Sequence, residues 1–204
     1  PRKASIHMVD GYPKRLFAAL ELEESVRSAL GTYAGNLKPI LSALSPRWVD
    51  PSLYHLTLHF YGECGDARTR RIRQGLGSCR RLSVPPRIVF TDLGFLPSER
   101  RPRVLYLGVS IDPRDAFEPV VRAARLQDGD GGLDAGAASA GHGPWKAHLT
   151  LARMGCQKPF PVSEKALLPP PPALFFFPND FALLESILSS RGPVYRALER
   201  YPLI

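Results

Sequence analysis

The alternation of apolar and polar residues predicts short β-strands that are interleaved with amphipathic helices. Residues 15–20 form a strand-like run, and apolar residues recur at helical spacing in the stretch that follows. Residues 104–109 form a second strand-like run, which is again followed by a helical stripe. The two stripes comprise Leu22, Val26, Ala29, Leu30 and Tyr33 in the first helix, and Phe117, Val120, Val121 and Ala124 in the second.

Each of these helices leads towards the same four residues, His-Leu-Thr-Leu, which occur at 55–58 and again at 148–151. Successive side chains of a strand point to opposite faces, so each tetrad presents His and Thr on one face and two leucines on the other. We expect the leucines in the core. Further strands are predicted from residue 88 onward, at 181–188 and at 194–201, and the last two form a hairpin.

The order strand, helix, tetrad strand, helix, strand therefore occurs twice. The opening strands lie at similar distances from the tetrad histidines, 39 residues from Leu16 to His55 and 44 residues from Val104 to His148. The helix after the tetrad is predicted at 66–76 in the first unit, and a shorter one at 163–168 in the second. This order favours a duplicated α+β unit whose two tetrad strands are equivalent and face each other across a cleft.

Three segments fall outside the repeated pattern. Residues 1–14 are polar and are expected to form a flexible N-terminal tail, which leaves 15–204 as a single domain. Residues 129–143 are mostly Gly, Ala, Asp and Ser, so we expect a mobile loop just before the second tetrad. The four prolines at 169–172 predict a rigid spacer.

The composition is that of an ordinary globular protein, with 44% hydrophobic and 23% charged residues. No apolar run approaches the ~20 residues needed to span a bilayer, and three widely spaced cysteines argue against a disulfide framework. We therefore expect a cytoplasmic protein, which we take to be a monomer. The net charge of +8 suits a polyanionic partner, although a basic surface that serves only solubility explains it equally well.

The tetrads offer two imidazoles and two hydroxyls. Imidazole titrates near neutral pH, so His55 and His148 can divide acid and base work on opposite sides of a phosphorus atom. Thr57 and Thr150 can donate hydrogen bonds to the non-bridging phosphate oxygens, and such a site needs no metal. A lone strand histidine is more often structural, and two histidines can also bind a metal, but neither tetrad contains Asp, Glu or Cys.

Two polar positions follow the tetrads closely. Alternation places His59 on the face of His55, where it either extends the phosphate site or lies on its rim. Arg153 follows Thr150 by three residues, so alternation points it away from His148 unless the strand ends or bulges there; otherwise it is a surface or ion-paired arginine. Further arginines either line a polyanion groove or are scattered over the surface: Arg80, Arg81, Arg87, Arg100, Arg101 and Arg103.

These residues resemble the 2H phosphoesterase superfamily, whose name records its paired His-x-Thr/Ser motifs. Within the superfamily, the chain is most similar to the RNA 2′,3′-cyclic phosphodiesterases, also called bacterial 2′-5′ RNA ligases or LigT-like proteins. Ala147 and Tyr54 stand where the family commonly has proline and asparagine, and neither change removes a catalytic group. The matching segments cover almost the whole chain from Arg15 onward: 15–20, 47–49, 55–63, 101–109, 145–153 and 195–203.

The resemblance implies a bilobal α+β fold with pseudo-two-fold symmetry and antiparallel sheets that flank a central cleft. It also implies that RNA ends carrying a 2′,3′-cyclic phosphate are hydrolysed to a 2′-phosphate without a cofactor. By motif position, His55 and His148 are the acid/base pair, Thr57 and Thr150 bind phosphate, and Arg153 contacts the nucleotide. The usual assignment makes the first histidine the acid and the second the base, although the symmetry permits the reverse.

Two other functions stay open on the sequence alone. A non-catalytic nucleotide- or RNA-binding module would keep the cleft without turnover. A 2′-5′ RNA ligase would use the same site in the reverse direction, although hydrolysis is favoured where water is abundant.

Overall fold

The protein is built around one curled antiparallel β-sheet, seen in a computed structural model that describes residues 12–79, 81–127, 145–156, 158–190 and 192–204. Residues 1–11 of the predicted tail and the predicted loop at 129–143 lie outside the described residues. The strands are β1 (Lys14–Glu21), β2 (Pro46–Trp48), β3 (His55–Cys64), β4 (Arg87–Ser98), β5 (Arg101–Asp112), β6 (His148–Met154), β7 (Phe175–Phe176), β8 (Asp180–Ser189) and β9 (Gly192–Pro202).

The α-helices lie where the hydrophobic stripes predict them. They are α1 (Glu24–Leu37), α2 (Asp66–Gly77) and α3 (Arg114–Leu126), and short 3₁₀ helices occupy Ser42–Leu44, Pro51–Leu53 and Val162–Leu167. The predicted helix at 163–168 is therefore a 3₁₀ segment. None of the helices in the described ranges is long and apolar enough to cross a membrane.

The two tetrad strands lie side by side at the centre of the sheet. The strand order is β7-β4-β5-β6-β3-β1-β8-β9, with β2 also on β6, and β3 pairs with β6 at Leu56 and Leu149. Each tetrad strand is flanked by the opening strand of its own unit, β1 beside β3 and β5 beside β6. The predicted duplicated α+β fold is confirmed.

The third strand of each unit crosses to the other half of the sheet. After α2, β4 pairs with β5 of the second unit, and β8 pairs with β1 of the first unit. β9 then extends the half that contains β3 through its hairpin with β8, as predicted. Each half of the fold is therefore built from both units, and residues of the C-terminal hairpin are brought towards the first tetrad.

The helices cover one face of the sheet and form the main core with it. The leucines of both tetrads are in this core, with exposed fractions of 0–2%, which confirms the prediction of their face. The opposite face carries a smaller apolar cluster of Phe17, Ala19, Ala182 and Leu184, against which Phe60 and Tyr195 pack. The tetrad histidines and threonines share this second face.

Both tetrad strands contain a β-bulge at the same position. In β3, Thr57 pairs with Ala19 and His59 with Ala18, which leaves Leu58 as the additional residue. A bulge of this kind interrupts the alternation of faces, so residues beyond it change sides. The equivalent bulge in β6 is at Leu151.

The bulge makes the prediction for His59 wrong. His59 is paired with Ala18, which belongs to the main core, and not with a residue of the His55 face. Its ring lies 4.9 Å from that of Tyr61, whose hydroxyl donates a 2.9 Å hydrogen bond to the carbonyl oxygen of Ala124 in α3. His59 therefore faces the helical layer and does not extend the phosphate site.

The first strand begins at Lys14, one residue before the predicted boundary of the tail. Lys14 pairs with Cys64 of β3, and its ammonium group forms a 3.0 Å ion pair with Asp66 in the first turn of α2.

Candidate active site

His55 and His148 are each held by the same kind of contact with a backbone carbonyl. Nδ1 of His55 lies 2.8 Å from the carbonyl oxygen of Leu53, and Nδ1 of His148 lies 3.0 Å from that of Lys146. A carbonyl oxygen can only accept, so Nδ1 carries a proton in both rings and Nε2 is the atom left for proton exchange. The residue two positions before each histidine thus selects the same tautomer in both halves.

The two imidazoles have different aromatic neighbours. The ring of His55 lies 5.0 Å from Phe17 of β1 and 5.2 Å, edge-on, from Tyr195 of β9. The ring of His148 lies 5.7 Å, also edge-on, from Tyr106 of β5. His55 is therefore packed between two aromatic rings contributed by both units.

The surroundings of His55 favour its neutral form. Burial lowers the pKa of His55 below its ordinary value of 6.5, and the positive charge of His148 acts in the same direction. The hydrogen bond to Leu53 and the carboxylate of Glu21, which is paired with His55 in the β1–β3 register, act in the opposite direction. The influence of His148 on the pKa of His55 means that the two imidazoles lie within electrostatic range of each other.

The threonines lie on the same face as the histidines. The hydroxyl oxygen of Thr57 lies 3.1 Å from Nε2 of His55, and it donates to this nitrogen when the ring is neutral. Thr150 pairs with Tyr106, the residue that packs against His148. The Thr57 hydroxyl is thus placed beside Nε2 of His55, and Thr150 occupies the equivalent position in β6.

Trp145 connects the two halves of the site. Its indole Nε1 donates a 3.1 Å hydrogen bond to the carbonyl oxygen of Thr57, and its ring packs 5.9 Å from Phe117 of α3. This residue immediately precedes the segment that leads into β6, so the hydrogen bond fixes the start of the second tetrad against the first.

The bulge in β6 turns Arg153 to the face of Thr150. Thr150 pairs with Tyr106 and Arg153 pairs with Val104, two residues before Tyr106 on β5, with Leu151 as the additional residue. The sequence requires a bulge for Arg153 to face the same side as His148, and β6 contains that bulge. The positive charge of Arg153 also lies near enough to Tyr195 to oppose the burial that raises the pKa of that phenol.

A cluster of arginines surrounds the end of β6. Arg153, Arg47 and Arg103 line a pocket of about 540 Å³ together with Met154 and Gly155. Of the other arginines singled out in the sequence, Arg87 stacks on Phe175 at 4.5 Å, and Arg80 lies outside the described residues. Among the described residues, no group of three or more His, Cys, Asp or Glu side chains is arranged to hold a metal ion.

Comparison with known proteins agrees with the fold and the paired motifs. Residues 20–106 match the family described as LigT like Phosphoesterase. An RNA 2′,3′-cyclic phosphodiesterase of Thermus thermophilus is 31% identical to the chain, in an alignment that covers 93% of this chain and 90% of that protein. The chain belongs to the LigT-like phosphoesterase family. The resemblance stated from the sequence is confirmed.

Solved structures of LigT-like proteins share the fold over nearly the whole chain. The Thermus thermophilus protein TT0787 superimposes with a TM-score of 0.72 at 30% identity, covering 93% of this chain and 97% of that one. Escherichia coli LigT complexed with 3′-AMP gives a TM-score of 0.70 at 25% identity, covering 94% and 98%. The likeness thus includes both tetrads, whereas the family match at 20–106 includes only the first.

Several residues of this LigT-like site are not assigned by the sequence analysis. Tyr195, Phe17 and Tyr106 contact the imidazoles, and Trp145 and Arg47 lie beside Thr57 and Arg153. All five fall in segments that resemble the family, which was a usable signal, and Trp145 and Arg47 also lie close to a motif in the sequence or in the sheet. Tyr195 comes 140 positions after His55, and only the sheet order brings them together.

Proposed function

We propose that this LigT-like protein is an RNA 2′,3′-cyclic phosphodiesterase that hydrolyses the cyclic phosphate at an RNA 3′ end to a 2′-phosphate. The observation that carries the proposal is the matched placement of His55 and His148. Each imidazole is fixed through Nδ1 to a backbone carbonyl, and each has a threonine hydroxyl on its own face of the strand. The name of the Thermus thermophilus relative and the 3′-AMP bound to Escherichia coli LigT agree with a nucleotide substrate.

The reaction needs one proton accepted and one proton donated. Water attacks phosphorus, the bond between phosphorus and the 3′ oxygen breaks, and the electron pair leaves with that oxygen. One imidazole takes the proton of the attacking water, and the other protonates the 3′ oxygen as it departs. The products are a 2′-phosphomonoester and a free 3′ hydroxyl, and the histidines are restored by exchange with solvent.

Thr57 and Thr150 hold the cyclic phosphate between the two imidazoles in this proposal. Their hydroxyls donate to the non-bridging oxygens, which keeps the attacking water and the leaving oxygen in line. Thr57 exchanges its hydrogen bond to His55 for one to phosphate, and Nε2 of His55 is then available to the leaving group. Arg153 contacts the nucleotide with its positive charge.

The roles of the histidines depend on the charge of His55. Its lowered pKa favours the neutral ring in the free protein, which by itself suits a base. An anionic phosphate beside the ring acts in the opposite direction, because it stabilises the imidazolium ion. By motif position we assign His55 as the acid, which the bound phosphate keeps protonated, and His148 as the base that activates water.

The proposed activity is tested with a short oligonucleotide that carries a 2′,3′-cyclic end, in the presence of EDTA. We expect release of the 2′-phosphate by the wild type, and a loss of about 10²- to 10⁴-fold in His55→Ala and in His148→Ala. Absence of turnover, or equal turnover by the double variant, contradicts the proposal. Affinity for RNA without any turnover, retained by both variants, would instead favour the non-catalytic binding module.

The assignment of roles is tested with an analogue whose 3′ leaving oxygen is replaced by sulfur. A thiolate leaves without being protonated, so the acid is dispensable for this substrate while the base is still required. We expect His55→Ala to regain most of its lost rate on the analogue and His148→Ala to stay slow. Recovery of His148→Ala in place of His55→Ala would reverse the assignment. The cytoplasmic location and the monomeric state stay predictions.

A further inference from the structure

The pocket at the end of β6 is formed by three arginines on three adjoining strands. Arg47 of β2 pairs directly with Arg153 of β6, and Arg103 lies next to Val104, which pairs with Arg153 from the other side. The neighbouring backbone is tightly held, because the amide of Gly155 donates a 3.0 Å hydrogen bond to the carbonyl oxygen of Ser45. The arginines therefore project from a fixed frame.

Among the residues that the structure describes, no carboxylate neutralises these three side chains. In the described part of the chain, none of Arg47, Arg103 and Arg153 takes part in an ion pair or a side-chain hydrogen bond. Arginines on the surface elsewhere do have such partners, as Arg73 does with Glu199 and Arg196 with Glu185. Three like charges around one pocket repel each other, so an anion that enters the pocket relieves this repulsion.

The pocket adjoins the proposed catalytic site. Arg153 is three residues beyond Thr150, which in a strand corresponds to roughly 10 Å. The same arginine influences Tyr195, the residue that packs against His55. An extended substrate that places its cyclic phosphate between the histidines can therefore reach the pocket with its next phosphate group.

We propose that the pocket of Arg47, Arg103 and Arg153 binds the internal phosphodiester on the 5′ side of the terminal nucleotide. Guanidinium groups match the geometry of phosphate oxygens and bind them through paired hydrogen bonds. This inference rests on the proposed function and deepens it, since it assigns a binding site to the phosphate group that precedes the terminal nucleotide of the RNA.

Three substrates distinguish which kind of phosphate group the pocket binds. Uridine 2′,3′-cyclic phosphate has no second phosphate, its 5′-phosphorylated form has a terminal monoester, and the dinucleotide UpU with a 2′,3′-cyclic end has a phosphodiester. We expect the wild type to have a kcat/KM for the dinucleotide at least tenfold above that for uridine 2′,3′-cyclic phosphate. An equal preference for the 5′-phosphorylated nucleoside would mean that any phosphate fills the pocket, which overturns the assignment to a phosphodiester.

Arg47→Gln and Arg103→Gln test the pocket while Arg153 is left in place. In each variant we expect the ratio of kcat/KM for the dinucleotide to that for uridine 2′,3′-cyclic phosphate to fall about tenfold, mainly through KM. The salt dependence of dinucleotide binding should become shallower as well, because one fewer phosphate contact is made. Arg122→Gln on the exposed side of α3 is the matched control and should leave the ratio unchanged.

An unchanged ratio in Arg47→Gln, Arg103→Gln and their double variant overturns the inference and leaves the proposed function standing. Absence of turnover of all three substrates by the wild type contradicts the proposed function instead. In that event the pocket is tested by equilibrium binding of UpU bearing a terminal 2′-phosphate. Weaker binding to the two pocket variants than to Arg122→Gln supports the pocket, and equal binding overturns it.

Discussion

Replacing Trp145 with phenylalanine removes the hydrogen bond between the halves of the site and keeps an aromatic ring beside Phe117. Nε1 of Trp145 lies 3.1 Å from the carbonyl oxygen of Thr57. A hydrogen bond of this kind contributes about 0.5–1.5 kcal/mol net, so we expect the free energy of unfolding to fall by about 1 kcal/mol. The bond also places the Thr57 strand against β6. If the transition state loses the same ~1 kcal/mol of stabilisation, kcat/KM falls about fivefold.

Trp48→Phe is the matched control for this prediction. Trp48 also packs against the main core, but its indole nitrogen makes no hydrogen bond within the described residues. Unfolding in urea is followed by circular dichroism, because both replacements remove a fluorophore, and turnover is measured on an oligonucleotide with a cyclic end. Equal losses of kcat/KM in the two variants would refute the positional role of Trp145. Full activity in a Trp145→Phe variant that is destabilised would refute it as well.

Three further predictions concern stability. The pKa of His55 is lowered in the folded state, so the unfolded chain binds more protons as the pH falls through about 6.5, and the free energy of unfolding decreases there. In urea unfolding, the stability of the wild type relative to His55→Gln should therefore be smaller at pH 5.5 than at pH 7.5. An equal difference at both pH values contradicts this. Leu149→Ala truncates a side chain with 0% exposure and should cost about 2–5 kcal/mol in the same assay, whereas a loss below about 1 kcal/mol would place Leu149 outside the core. In Gly108→Ala the new Cβ overlaps the carboxylate of Asp92 and comes within 2.8 Å of Oγ1 of Thr91. Both atoms end exposed side chains that can rotate away, so we expect the free energy of unfolding to change by less than about 1 kcal/mol, and a larger loss would mean that the strand itself has to move.

Local periodicity is sufficient to predict the faces of the tetrads. Alternation places the histidines and threonines together and sends Leu56 and Leu149 to the core, because the first three residues of each tetrad precede the bulge of its strand. The helices α1 and α3 are predicted for the same reason, since their apolar stripes need only one face to be buried.

The bulges could not be predicted from the tetrads alone. A bulge depends on the register between two strands, and Leu58 and Leu151 look like ordinary strand residues in the sequence. For this reason alternation assigns His59 to the wrong face. It also leaves the direction of Arg153 open until the pairing of β6 with β5 is known.

The aromatic neighbours of the histidines depend on the exchange of strands between the two units. β8 returns to β1 and brings the hairpin partner β9 with it, which places Tyr195 beside His55. The repeat in the sequence predicts two equivalent units but does not indicate which of them receives each third strand. The arginine pocket also depends on the order of strands in the sheet, because Arg47, Arg103 and Arg153 meet only through the pairing of β2, β5 and β6.

The most direct test of two-histidine hydrolysis is ³¹P NMR of the products formed in ¹⁸O-enriched water from an oligonucleotide with a 2′,3′-cyclic end, with EDTA present. The wild type should give a single 2′-phosphomonoester that carries one ¹⁸O from solvent, and the double variant His55→Ala, His148→Ala should leave the cyclic phosphate intact. A 3′-phosphate product, a loss of turnover on addition of EDTA, or an active double variant would contradict the account.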